Sequence, residues 1–317
     1  MHAFDIDPEL ARCLQRFAQL DAECPTPHLD YVQRRRWLSE EQARLLRQQP
    51  LAGITTQDHA LLLEGRQLAL RSYTPRASSG HTLVWLHGGG WMVGSLNTHD
   101  DLCEHLAHYS GHTVLSVDYR RTPEHPFPAA LHDVQAVLQW LHQLPPDSAL
   151  AHPSVLLGGD SAGAHLALAS AVHGVLEPSG QHAQVAALLL LYPCLLPDLD
   201  TPSARQFAQG HGLTDTAMRQ YWQALGGAEH PLRTPSRCSA ALHQLPPTVI
   251  MTASHDILRD EAEDFARQLQ TLPQGPRTQL QRADGMVHGF ARMLVASAAA
   301  RDHVAQACQL LQAIQAP

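Results

Sequence analysis

Short, unbroken apolar runs recur through the middle of the chain at Thr82–Leu86, Thr113–Val117, Val155–Leu157, Val185–Leu191 and Thr248–Thr252. A strand with one wet face alternates apolar and polar residues. Unbroken runs belong to strands covered on both faces, as in a parallel sheet between layers of helix. Helical patterns lie between the runs, over 102–110, 129–143, 162–175 and 260–272. The β-α-β-α succession predicts an α/β fold with a doubly wound, mostly parallel sheet. Upstream, 59–63 and 68–72 flank Glu64-Gly65-Arg66 and read as an antiparallel hairpin at one sheet edge. Downstream, Thr278–Arg282 reads as the last strand, and a closing helix sets Val304, Cys308, Leu311 and Ile314 on one face.

Two stretches break the alternation, so four segments are expected: helices over 1–50, a first core part over 51–196, an insertion over 197–240 and a second core part over 241–317. The two extra segments read either as lids over the carboxyl edge of the sheet, where ligands bind in open α/β folds, or as packing decoration. Trp91, Phe207, Leu213, Met218, Tyr221 and Trp222 are correspondingly either pocket walls or core of those segments.

Within this pattern, Gly159-Asp160-Ser161-Ala162-Gly163 falls between a strand and a helix. G-x-S-x-G in that setting is the signature of a nucleophile elbow, where a sharp turn exposes the serine hydroxyl and small neighbours avoid collision. His87-Gly88-Gly89-Gly90 directly follows the strand 82–86. Acyl transfer passes through a tetrahedral oxyanion that needs fixed donors, and a glycine-rich main chain can bring N–H groups close to substrate. The expected donors are the N–H groups of Gly88, Gly89 and Ala162, with His87 a structural hydrogen-bonder that holds the loop. Serine, acid and histidine follow in that order in this fold. Among 22 histidines, His288 is chosen by position, in the loop after the last strand, whereas His303 falls inside the closing helix. Asp256 follows the strand 248–252 and is the candidate acid that would fix the histidine tautomer. Asp260, Asp264 and Asp284 compete with it for that role.

Composition narrows the chemistry further. All 22 basic residues are arginine. The absence of lysine excludes Walker-type phosphate loops and Schiff-base enzymes, which both need its amine. With a net charge of -8 and Arg34-Arg35-Arg36 as the one basic cluster, read as a solvated helix face, no nucleic-acid partner is expected. Six scattered cysteines contain no C-x-x-C pair and read as buried thiols in a reducing compartment, not as disulfides or a zinc site. The start of the chain lacks a basic then apolar segment, and no apolar run is long enough to span a bilayer, so a cytoplasmic protein without a membrane partner is expected. No metal or cofactor is called for.

Six segments together resemble the hormone-sensitive-lipase-like family of bacterial esterases: His87–Gly94, Asp118–Ala130, Gly159–Gly163, Tyr192-Pro193, His255–Asp260 and His288–Phe290. The resemblance implies an α/β-hydrolase core, a helical cap built from the N-terminal and mid-chain segments, carboxylesterase activity on short acyl chains, and frequent dimerisation. It also matches Asp256 to the family's catalytic acid. Ala164 stands where another glycine is common, and Arg121-Thr122 replaces the more usual Leu-Ala. The substrate expected is a small ester. An amidase or lipase using the same triad remains the alternative, and so does a non-catalytic receptor on this fold.

Overall fold

Eight strands join into one sheet in the computed structural model, which describes residues 5–24, 28–78, 81–145, 147–152, 154–178, 180 and 182–315. Helices α1 (Pro8–Ala22) and α2 (Tyr31–Leu46) precede the hairpin β1 (Ile54–Leu63) and β2 (Arg66–Pro75). Then come β3 (Thr82–Leu86), α3 (Asp100–Ser110), β4 (Thr113–Val117), α4 (Ala129–His142), β5 (Ser154–Asp160), α5 (Ala162–Leu176) and β6 (Gln184–Leu191). The short α6 (Pro202–Gln206), α7 (Asp215–Leu225) and α8 (Ser239–Leu242) interrupt the alternation before β7 (Thr248–His255), α9 (Arg259–Thr271), β8 (Thr278–Val287) and α10 (Ala298–Gln315).

The strand order is β1-β2-β4-β3-β5-β6-β7-β8, parallel from β4 to β8 and antiparallel at the β1–β2 hairpin and its seam with β4. Side-chain alternation splits each buried strand between two cores. Val84 and Leu86 of β3 face the core shared with α4, α5 and α9, while Leu83 and Trp85 face the core shared with α3 and α10. That division explains why the runs are unbroken: both faces are dry. Val304, Cys308, Leu311 and Ile314 are buried along α10, as their spacing predicts.

β5 and β7 extend beyond their apolar runs, because ladder pairing uses backbone groups and continues into polar sequence, and β8 runs on past Arg282 to Val287. Asp160 still pairs with Leu191, and His255 with Val287. Ser161, Asp256 and His288 are therefore each the first residue past a strand at the same edge of the sheet.

Two expectations need correction. Arg34-Arg35-Arg36 is not a solvated face. Arg34 pairs with Asp21 at 2.8 Å, Arg35 donates to the Tyr221 hydroxyl at 2.7 Å, and Arg36 bonds both Glu124 oxygens at 2.7 Å and the Met92 carbonyl at 3.0 Å. These contacts tie α2 to α1, to α7 and to the loop after β3. Of the cysteines, Cys13, Cys103, Cys194 and Cys308 are buried, but Cys24 and Cys238 are only partly so. Among the described residues, no helix is long and apolar enough to cross a membrane.

The α5 helix starts so close to β3 that a Cβ on Gly163 would lie 1.8 Å from the Leu86 carbonyl oxygen. Gly174, near the other end of the same helix, has no atom within 4 Å of its Cβ position. Gly163→Ala is expected to lower stability by at least ~3 kcal/mol through overpacking. Gly174→Ala should raise it by roughly 0.5–1 kcal/mol through helix propensity. Urea denaturation of both variants checks this, and a Gly163→Ala protein as stable as the parent would contradict the close approach.

Candidate active site

Ser161 occupies the turn between β5 and α5 with φ 53° and ψ −116°, a region L-residues avoid. Such strain costs ~1–3 kcal/mol and must be held by its surroundings. The Ser161 N–H is anchored to the Leu191 carbonyl at 2.9 Å, and its carbonyl accepts the His165 N–H at 3.1 Å. His288 Nε2 lies 2.8 Å from Ser161 Oγ, and His288 Nδ1 lies 2.7 Å from Asp256 Oδ2. A carboxylate can only accept, so Nδ1 carries the proton and the Nε2 lone pair receives the serine hydroxyl. Asp256 is 1% exposed, and its other oxygen accepts the Leu258 N–H at 3.0 Å. The edge of the Tyr192 ring packs 4.9 Å from the imidazole.

The competing carboxylates are engaged elsewhere. Asp260 accepts from Ser203 N and Arg259, Asp264 pairs with Arg267 on the surface, and Asp284 is exposed on β8, while it is Asp256 that bonds His288. His87 is fully buried, stacks on Tyr119 at 4.2 Å and bonds the Gly88 carbonyl through Nδ1 at 3.0 Å. Burial holds it well below the usual imidazole range, so it stays neutral in the loop.

The glycine cradle differs from expectation at one donor. The Gly88 N–H points at Asp160 Oδ1, 2.9 Å away, and is not free for substrate. Asp160 sits in the x position of G-x-S-x-G and is buried, with His99 Nε2 at 3.3 Å from the same oxygen. Burial would raise its pKa, but His99, Arg292 and the Gly88 N–H outweigh that and hold it below the ordinary value. Gly89 and Gly90, not Gly88, line the cavity beside Ser161 and His288. The Tyr221 ring lies flat enough on Gly90 that a Cβ there would meet it at 2.3 Å. Nothing in the sequence marked this link: Asp160 lies 72 positions from Gly88, and His99 is one of 22 histidines.

The cavity over Ser161 is about 430 Å³. Leu14 and Phe17 of α1, Leu38 of α2, and Leu213, Met218 and Tyr221 give it apolar walls, while Arg35, Ser39 and Arg292 add polar ones. Trp91, Phe207 and Trp222 do not line it. Trp91 donates to His165 Nδ1 at 3.2 Å and packs on Trp222 at 4.7 Å, and Phe207 lies under Arg259. No group of three His, Cys, Asp or Glu that could hold a metal ion occurs among the described residues.

A family model described as the alpha/beta hydrolase fold matches residues 83–292. The chain belongs to that family. This α/β hydrolase is 34% identical over 225 residues to a carboxylesterase of Mycobacterium tuberculosis, covering 69% of each chain. It is 28% identical over 291 residues to an arylesterase of Saccharolobus solfataricus, covering 90% of this chain and 92% of that one. Among solved structures, a thermostable esterase from Pseudomonas putida superposes with TM-score 0.86 at 25% identity over 100% of both chains. The resemblance to hormone-sensitive-lipase-like esterases, read from six short segments, agrees with these relatives.

Glu261 of α9 is buried behind the Asp256 turn, and Oε1 accepts the Leu195 N–H at 2.7 Å. Burial pushes its pKa up to about 8, against the opposing pull of the Leu195 and Leu196 N–H groups. A carboxyl raised in the folded state favours folding while it stays neutral. That contribution is complete below the ordinary value of 4.5 and is lost as pH climbs through about 8. Relative to Glu261→Gln, the parent protein should therefore lose stability between about pH 5 and 8.5, with a slope of up to ~1.4 kcal/mol per pH unit. Urea titrations of both proteins across that range check the slope; parallel curves would mean Glu261 is already charged.

Proposed function

We propose that this carboxylic ester hydrolase cleaves small, short-chain acyl esters through an acyl-enzyme formed on Ser161. The observation that carries the reading is the unbroken relay of Asp256, His288 and Ser161, at 2.7 and 2.8 Å, on the floor of a cavity. Ser161 Oγ attacks the ester carbonyl while His288 Nε2 takes its proton. Asp256 holds the tautomer and stabilises the imidazolium. The developing oxyanion is received by the N–H groups of Gly89, Gly90 and Ala162, the last at the start of α5, where unused helix N–H groups favour negative charge. His288 then protonates the departing alcohol, and a water activated by the same nitrogen releases the acid.

A cavity of about 430 Å³, walled by α1, α2 and α7, supports acyl and alcohol groups of modest size. The names of relatives agree in kind: besides the carboxylesterase and the arylesterase, an acetyl esterase of Salmonella typhi is 32% identical over 241 residues. We read α1, α2 and the 197–240 segment together as the cap that shapes this cavity.

Ser161→Ala is expected to lower kcat by a factor on the order of 10⁶, and Asp256→Asn by roughly 10⁴ through loss of the correct tautomer. Initial rates on para-nitrophenyl esters from acetate to decanoate measure both effects and the chain length at which activity falls. Near-parental turnover by Ser161→Ala, or an absence of stoichiometric labelling of the parent by an organophosphate, would defeat the assignment.

A further inference from the structure

Arg292 stands four residues past His288, in the turn Phe290–Arg292, and lines the same cavity as Ser161. Its Nε is enclosed and has no acceptor among the described residues. Its Nη2 reaches only Ser39, 3.4 Å from the carbonyl and 3.3 Å from the hydroxyl. A guanidinium offers five N–H donors, and two long bonds to neutral oxygens leave it under-coordinated. Buried charge is costly unless it is paired, so an arginine serving only the fold would sit against a carboxylate.

Asp160 and Glu40 act on the Arg292 charge through space, but the hydrogen bonds they make go to other groups. Asp160 takes the Gly88 N–H and faces His99, and Glu40 accepts the Ser95 hydroxyl at 2.8 Å. Asp21, also on the cavity wall, is paired with Arg34 at 2.8 Å. Arg35, the second guanidinium of the cavity, spends Nε and Nη2 on the uncharged Tyr221 hydroxyl at 3.1 and 2.7 Å. The result is a cavity with two arginines, neither in an ion pair, inside a chain whose net charge is -8. The cavity wall also carries Asp21 and Asp160, each already bonded to another group, so among the described residues the enclosed donor left without a partner on this wall is Arg292 Nε.

Given the esterase reading above, on which this rests, we propose that Arg292, with Arg35 on the same cavity wall, binds a carboxylate carried by the substrate. The preferred esters are then half-esters of dicarboxylic acids, or esters whose alcohol bears a free acid. A carboxylate would supply the in-plane acceptor oxygens that the guanidinium fork lacks here.

The test compares kcat/KM within two matched pairs. On the acyl side these are the para-nitrophenyl monoester of adipic acid and para-nitrophenyl hexanoate. On the alcohol side they are meta-carboxyphenyl acetate and phenyl acetate. The acid member should be favoured in at least one pair by about tenfold or more, corresponding to ~1.4 kcal/mol. Arg292→Gln should bring that ratio down towards one, and Arg292→Lys should recover part of it. Taking ratios removes any general damage to the site. Should Arg292→Gln fail to fold, added salt supplies the second measurement on the parent enzyme, lowering kcat/KM for the acid member and sparing the neutral one. No preference for the acid in either pair, or a ratio unmoved by Arg292→Gln, overturns the subsite alone. Failure to hydrolyse any of the four esters overturns the esterase reading itself.

Discussion

A serine held at positive φ cannot hold itself there, and most of this site depends on how that turn is restrained. Ser161 leaves β5 and enters α5 with no room to relax, because Gly163 rests against the Leu86 carbonyl and the Ser161 N–H is tied to Leu191 on the neighbouring strand. The elbow is therefore bolted to β3 on one side and β6 on the other. Strain of ~1–3 kcal/mol is small against the packing of two strands and a buried helix, which can hold the turn in one conformation. That geometry presents Ser161 to the cavity.

The same turn also positions the glycine cradle, through Asp160. Asp160 is the residue immediately before the strained Ser161, and its carboxylate accepts the Gly88 N–H. One buried charge thus links the Ser161 turn to the Gly88–Gly90 loop, so the two cannot move independently. Burying a carboxylate is costly unless it is compensated, and here His99, Arg292 and Gly88 provide compensation. Glu261 shows the opposite solution nearby. Two backbone N–H groups do not offset its burial, and it holds its proton towards neutral pH. Two buried carboxyls thus differ in charge state because Asp160 has the Arg292 charge, His99 and the Gly88 N–H acting on it, whereas Glu261 has two backbone N–H groups against its burial.

How far the sequence revealed this depends on what each feature was made of. The parallel sheet was legible because strands dry on both faces must be apolar throughout, and G-x-S-x-G was legible because close approach demands glycine at fixed offsets. Strand ends were not: β5 and β7 run past their apolar residues, since pairing continues through Asp160 and His255 without regard to side chain, and β8 passes an irregularity after Ala283 before it pairs again at Val287. Gly88 was misjudged as a free donor because its partner lies 72 positions away and only the fold brings the two together. The arginine cluster on α2 was misread for a related reason. Three adjacent charges resemble a wet face until the groups they reach, Asp21, Tyr221 and Glu124, are folded against them.

The division between readable and unreadable follows a physical boundary. The proposed chemistry lies within residues 83–292, the stretch that the family model matches, where catalysis fixes residue types and spacing. Much of the cavity wall comes from Leu14, Phe17, Arg35 and Leu38 in α1 and α2, which lie before that stretch. Those helices are held by an ion pair to each other, by hydrogen bonds to α7 and to the loops after β3 and β4, and by burial of Leu10, Cys13 and Leu38. Acyl transfer constrains a few atoms near Ser161 tightly, whereas binding the rest of an ester only requires a wall of suitable shape and charge. Membership of the family therefore gives the kind of reaction, while on the proposed reading the charge and shape contributed by α1 and α2 would decide which ester is accepted.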